Sequence, residues 1–216
     1  DATAMNYNPT STNDSLCLYC SDPVAFDGYN YNTVAIGNQC WFSENLRSEH
    51  YLNGDVIPGG LSNSSWSNTS SGAQAYYNDD ASNLDTYGRL YNWYAVDDAR
   101  GLCPSGWHVP SDAEYTVLTD FLGGSSVAGG KMKEAGTAHW NSPNTGATNS
   151  SGFTGLGHGY RQTSGGFDYL LNNGYFWSSS PSGGYAWYRA LNTSHADVNR
   201  SSSNRRYGFA VRCVGD

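Results

Sequence analysis

From Asp27 onward bulky and polar positions alternate at short range. In GYNYNTVAIGNQCWFSENLR, Tyr31, Val34 and Ile36 precede the pair Gly37-Asn38, and Cys40 and Phe42 follow it. Alternation interrupted by a glycine-containing pair predicts a β-hairpin. Trp41, Asn45 and Leu46 are expected to begin packing beneath the main body. Residues 53–83 form a long Gly/Ser/Asn-rich excursion anchored by Trp66, Tyr76 and Tyr77. A patternless stretch of that length points to a functional or mobile loop. Residues 87–96, YGRLYNWYAV, bring Tyr87, Leu90, Tyr91 and Tyr94 to helical spacing and predict a short helix with a buried face. A second helix is predicted after Pro110. Ser111 and Glu114 have capping-box spacing, Val117, Leu118, Phe121 and Leu122 supply an apolar face, and Gly123-Gly124 stops it. Glu114 is thereby explained as a cap rather than as a catalytic acid. Residues 125–174 carry a short basic turn (Lys131, Lys133) and then glycines and aromatics at close intervals, the texture of short strands and tight loops.

The stretch Tyr175 to Asp216 mixes two kinds of position. Phe176, Trp177, Trp187, Leu191, Val198, Phe209, Val211 and Cys213 read as a buried scaffold, while Tyr, Ser, Asn, Gly, Thr, His and Asp fill the gaps. Tyr, Ser, Gly and Asn are the residues with which antibody loops make contacts at low entropic cost. Arg189, Arg206 and Arg212 are expected to brace loops through carbonyls and carboxylates.

Composition narrows the class. Charged residues make up 14% of the 216, aromatics another 14%, and there are 26 glycines. Abundant aromatics with few charges argue against disorder. The elements and composition together give a mixed, loop-rich α+β domain at residues 23–216. A net charge of −8 disfavours nucleic acid and anionic membranes as partners, and no apolar run approaches the length of a membrane span. Asp1 is not an initiator residue, so the chain is expected to be a processed or excised piece. Five cysteines (Cys17, Cys20, Cys40, Cys103, Cys213) lack zinc-site spacing and point to an exported, disulfide-bearing protein. Residues 1–22 read either as the remnant of a small Cys-containing repeat or as a linker. No cofactor is expected. A structural calcium ion at Asp79, Asp80 and Asp85 is weighed against solvated turn carboxylates, and the latter is preferred because no ligand spacing is recognisable.

Several blocks, IGNQCWFSENL, YGRLYNWYAV, GLCPSGWHVPSDAEY, TNSSGFTGLGHGYR, YFWSSS, AWYR and YGFAVRC, occur in order over residues 27–214. In this the chain resembles the Fibrobacter succinogenes major paralogous domain family, departing from its usual pattern at Gly157-His158. The resemblance implies a C-type-lectin-like fold with short antiparallel strands and about two helices, similar to formylglycine-generating enzymes and to retroelement-diversified variable proteins. It further implies that the first and last strands are neighbours, making Cys103 and Cys213 partners. Closing so long a loop contributes about 4–5 kcal/mol. Cys20 with Cys40 is the candidate second bridge, with the pairing of Cys17 left open.

In retroelement-diversified relatives, adenine-directed mutagenesis enriches Asn, Ser, Tyr, His, Asp, Thr, Gly and Ala near the C-terminus. Here the gap positions Tyr185, Tyr188, Asn192, Thr193, Ser194 and His195 belong to that set. So do Asp197, Asn199, Ser201, Ser202, Ser203, Asn204 and Tyr207. The resulting expectation is a non-catalytic, diversified binding face for a protein or glycan at a cell surface, secreted or displayed on a cell or virion. Tyr185, Tyr188 and Tyr207 would be its anchors. A structural subunit of a surface layer, fibre or phage particle is the alternative. An oxidase like the formylglycine-generating enzymes is disfavoured, because only Cys213 is available where those enzymes hold copper with two cysteines. The sequence signatures of calcium-dependent sugar-binding lectins are absent.

Overall fold

The computed structural model describes Cys20 and residues 22–216. Cys17 and the expected N-terminal repeat lie outside the described residues. Two hairpins come first: β1 (Val24–Phe26) with β2 (Tyr29–Tyr31), and β3 (Thr33–Ile36) with β4 (Gln39–Phe42). The second turns at Gly37-Asn38 as the alternation predicts, with Gly37 at φ 65°.

The excursion over 53–83 is packed. It holds helix α1 (Asn63–Asn68) and strand β5 (Gln74–Ala75). Trp66 is fully buried, and its indole N–H donates to the Arg206 carbonyl at 2.8 Å. The buried Arg161 guanidinium lies 4.4 Å from the Trp66 ring and 4.9 Å from the Phe167 ring, and donates to the Leu61 and Gly165 carbonyls. One arginine thus pins the loop to the main sheet.

The single helix expected over 87–96 is instead three pieces: α2 (Leu84–Tyr87), β6 (Leu90–Tyr91) and α3 (Trp93–Val96). Gly88, at φ 70°, ends the first turn. The Asn92 side chain caps the second by accepting from the Ala95 amide. Between these two breaks Leu90 and Tyr91 pair with β5.

After β7 (Trp107–His108) comes α4 (Asp112–Phe121), whose capping box is formed as expected, Ser111 Oγ accepting from the Glu114 amide and Glu114 from the Ser111 amide. The expected apolar face is rotated. Tyr115, Leu118 and Leu122 point inward at a three- and four-residue spacing, leaving Val117 46% and Phe121 64% exposed. Next comes α5 (Ser125–Met132), a helix where only strands and loops were expected, so Lys131 and Lys133 lie at a helix end and not in a turn.

The remaining strands are β8 (His158–Arg161), β9 (Phe167–Leu170), β10 (Asn173–Ser182), β11 (Tyr185–Asn192), β12 (Asn199–Asn204) and β13 (Val214–Gly215). Five of them form a sheet in the order β12-β11-β10-β8-β9, antiparallel except where β8 meets β10. A second sheet has the order β3-β4-β13-β7, so the last strand closes against the early hairpin. The architecture is α+β, with five short helices among the described residues instead of two. One core cluster joins Trp41, Tyr115, Leu118, Met132, Phe176 and Leu191 beneath α4 and α5; another joins Phe42, Trp93, Trp107, Trp177, Phe209 and Cys213. Both expected disulfides are formed, Cys103–Cys213 across 110 residues and Cys20–Cys40. Arg212, fully buried, ties the junction by donating to Asn45 Oδ1 and to the carbonyls of Phe42, Phe153 and Thr154.

Candidate functional site

The C-terminal polar positions lie on β11, on β12 and in the loop between them, with Tyr207 in the bend that follows β12. Side chains alternate across a strand, so the register decides which of them can act together. Tyr185, Trp187 and Arg189 stand opposite Asn204, Ser202 and Arg200 on one face. Ala186, Tyr188 and Ala190 stand opposite Ser203, Ser201 and Asn199 on the other. On β10, Tyr175 and Trp177 pair with Ala190 and Tyr188 and so join the second face.

The first face is turned toward α4. Buried Arg189 donates to Asp112 Oδ1 (2.6 Å) and exposed Arg200 donates to both Asp112 carboxylate oxygens (2.7 Å for the nearer pair). The two arginines hold the Asp112 carboxyl below the ordinary range against burial, which pushes it up. Trp187, expected in the scaffold, is only half-buried and carries the Arg200 guanidinium 3.7 Å over its ring. Tyr185, 53% exposed, sits beside the Gly183-Gly184 turn that closes the β10–β11 hairpin.

The β11–β12 loop splits the expected binding residues again. Thr193 is buried; its hydroxyl donates to the Asn141 carbonyl, and its amide to the Asn172 carbonyl at 2.9 Å. Asn192 is joined to Asn173 at 2.8 Å and accepts from the Ser194 amide. Beneath them the buried Lys133 ammonium donates to three carbonyls, those of Thr145 (2.9 Å), Asn192 (2.8 Å) and His195 (2.7 Å). Thr193 and Asn192 therefore hold the loop in place, whereas Ser194, His195 and Asp197 are exposed on it and Asn199 is exposed at the start of β12.

The second face carries a cup. Tyr160, Tyr175, Tyr188, Ser203, Tyr207 and Phe209 enclose about 130 Å³. Phe209, buried, is its floor. Tyr175 and Tyr207 are stacked on that ring at 5.0 and 5.5 Å, and Tyr188 and Tyr160 meet it edge-on at 5.1 and 6.1 Å. Trp177 supports Phe209 at 4.3 Å. Contacts of this kind are worth about 0.5–1.5 kcal/mol each beyond their buried area, so the rings preorganise one another. The Tyr175 hydroxyl accepts from Asn173 at 2.6 Å. Among the described residues the hydroxyls of Tyr160, Tyr188 and Tyr207 have no hydrogen-bond partner, and none of them is a buried orphan.

Sequence reasoning placed Tyr188, Ser203 and Tyr207 on a binding face and Phe209 in the scaffold under it. It missed Tyr160 and Tyr175. Tyr175 was within reach, since strand alternation puts it on one side with Trp177; Tyr160 enters only through the β8–β10 pairing. Beneath the cup lies buried His158, whose Nε2 is 3.0 Å from the Tyr175 amide and 2.9 Å from its carbonyl. Burial, reinforced by the Arg212 charge, lowers its pKa to about 4, so it is neutral at pH 7.

Larger clefts lie elsewhere. One of about 510 Å³ runs past Val56, Gly72, Tyr94, Asp98 and Arg100, but Arg100 is already paired with Asp98 and Asp55, leaving little charge to recruit a ligand. The carboxylates weighed as a calcium site do not converge. Asp79 pairs with Arg161 at 3.3 Å, Asp80 accepts from the Ser82 amide, and the Asp85 side chain is 95% exposed near Arg47. Among the described residues no group of three or more His, Cys, Asp or Glu side chains is placed to hold a metal ion, and no helix is long and apolar enough to cross a membrane.

No curated protein and no solved structure matches the chain. A family model does, that of the Fibrobacter succinogenes major domain, over residues 34–215. That span contains the five-stranded sheet, all but the first residue of the four-stranded one, the Cys103–Cys213 bridge, the Arg212 clamp and the whole cup, and the chain belongs to this family.

Proposed function

We propose that this chain is a non-catalytic ligand-binding module, exported and displayed at a surface, on a C-type-lectin-like platform. The observation that carries the reading is the cup: rigid aromatic walls whose three rim hydroxyls have no partner within the described residues. Half-buried tyrosines that leave their polar ends open are suited to recognition, since they offer a large contact area with few torsions to freeze. Ser201 and Ser203 beside Tyr188 supply adaptable hydrogen-bonding groups on the same face. The partner expected is a protein or a glycan, and the exposed residues Ser194, His195, Asp197 and Asn199 extend the surface it would meet. Cys213 is bonded to Cys103, which favours binding over copper-dependent oxidation.

The test is a glycan and surface-protein array probed with the intact chain and with Tyr188→Ala and Tyr207→Ala. Loss of at least tenfold in affinity for the array ligand in both variants, measured at a temperature where circular dichroism shows each still folded, is the expected result. A ligand retained by both variants places binding elsewhere.

A further inference from the structure

The cup has a chemical bias that its shape alone does not state. Arginines cover aromatic rings throughout the molecule: Arg200 lies 3.7 Å over Trp187, Arg47 3.9 Å over Tyr29, Arg100 4.0 Å over Tyr51 and Arg205 4.3 Å over Trp93. Yet the rings of Tyr160, Tyr175, Tyr188, Tyr207 and Phe209 carry no cation from the described residues, although they form the most extensive ring cluster described. The two arginines next to Tyr207 in sequence are engaged elsewhere, Arg205 over Trp93 and on the Gly183 carbonyl, Arg206 on the Thr69 carbonyl. An acid stands across the sheet from the cup: Asp168 is paired with Tyr160 across β8 and β9. Burial, and after it Tyr175 and Asp168, push the Tyr160 phenol up to about 12, so it is a neutral hydroxyl at pH 7.

Resting on the binding-face reading, we propose that the cup is an aromatic cage for a cationic nitrogen, an alkylammonium or quaternary ammonium group presented by the ligand. Ring faces are the negative part of an aromatic quadrupole, and a cation within about 6 Å of several of them is attracted to each. Hydroxyl oxygens at the rim add acceptors, and the net charge of −8 draws cations toward the protein. Size agrees. About 130 Å³ equals the liquid volume of roughly four waters, room for a head group. It is well below the roughly 300 Å³ at which sites for whole small molecules begin. A sugar ring would also require fixed amide or carboxylate partners, and Ser203 is the one non-aromatic residue in the lining.

Titration of the intact chain with choline, followed by aromatic NMR shifts, tests this against 3,3-dimethylbutan-1-ol, which has the same shape without the charge. Saturable shifts confined to Tyr160, Tyr188, Tyr207 and Phe209 are expected, with the neutral isostere at least tenfold weaker. Tyr188→Phe should keep choline binding and Tyr188→Ala should lose it. A trimethyl-lysine amide run beside choline separates the sources of the ammonium: tenfold preference for the amide assigns the cage to a protein side chain, and tenfold preference for choline to a free small molecule. Equal binding of choline and its isostere, or shifts outside the cup, overturns the proposal. If choline fails while the array ligand still depends on Tyr188 and Tyr207, the face binds but is not a cation cage; if that dependence fails too, the binding-face reading goes with it.

Discussion

Acidification should undermine the cup from below, through His158. The ring is fully buried between the Phe176 ring (5.0 Å) and Asn45, with its Nε2 against the Tyr175 backbone. In the unfolded chain the imidazole takes up a proton near its ordinary value of 6.5, and in the folded chain only near about 4. Between those values the unfolded state binds more protons, so stability falls as pH falls. The gap corresponds to about 3 kcal/mol, a large part of the 5–15 kcal/mol by which a typical domain is stable. Other groups titrate in the same range, so the measurement must be differential. Urea unfolding of the wild type and of His158→Gln, at steps from pH 7.5 to 4, isolates the contribution. The wild type should lose about 3 kcal/mol relative to the variant between pH 6.5 and 4, with no change in the difference above pH 7. His108 moves oppositely and serves as a control. It is bonded to Asp216 (2.6 Å) and Glu114 (2.7 Å), which raise its pKa despite partial burial. Its contribution is complete below pH 6.5 and fades as pH rises through its elevated folded value. A wild-type-minus-variant difference for His158 that is flat across the acid limb would refute the reasoning.

Three further variants test the scaffold. Gly129 lies inside α5, where a Cβ would sit 2.0 Å from the Asp197 carbonyl oxygen; Gly129→Ala should therefore cost at least about 2 kcal/mol despite alanine's higher helix propensity. Gly166→Ala, with nothing within 4 Å of the added Cβ, should stay within about 0.5 kcal/mol in the same thermal melts. Arg212→Met would strand Asn45 Oδ1 and three backbone carbonyls. At about 1–3 kcal/mol for each buried acceptor left without a donor, the variant should show no cooperative unfolding transition by circular dichroism, and a normal transition would mean that the clamp is dispensable.

What could be read from the sequence was whatever depends on neighbours in the chain. The Gly37-Asn38 hairpin and the Ser111–Glu114 capping box are local patterns, and both formed. The bracing role expected of the arginines is filled by Arg212, which donates to the carbonyls of Phe42 and Thr154. The errors came where distant chain overrides local pattern. The sequence SSVAGGKM reads as loop because of its glycines, yet Gly129 and Gly130 are there to let residues 196–197 and Gly146 press against a helix. Phe121 looks like core and is exposed, because α4 turns Leu118 and Leu122 inward. The cup was half visible for the same reason. Tyr188 and Tyr207 stand in the C-terminal stretch, but Tyr160 is brought to them by a crossover that no local period encodes.

The split of the C-terminal polar residues between two faces has a consequence for what the surface can tolerate. Arg189 and Arg200 fasten the sheet to Asp112 from one side, and Lys133 and Thr193 fasten the loop from beneath. None of these attachments uses Tyr188, Ser201 or Ser203. Their side chains project on the opposite face from the Asp112 attachment. Replacement there leaves these attachments in place, with Tyr188 alone also giving up ring contacts to Phe209, Trp177 and Tyr175, whereas replacement at Thr193 leaves buried carbonyl and amide groups without partners. Composition gave all these positions one chemical character. The pleat and the hydrogen bonds separate them, so a surface able to accommodate different ligands on one frame should vary at Tyr188, Ser201 and Ser203 and hold Thr193 and Arg189 constant.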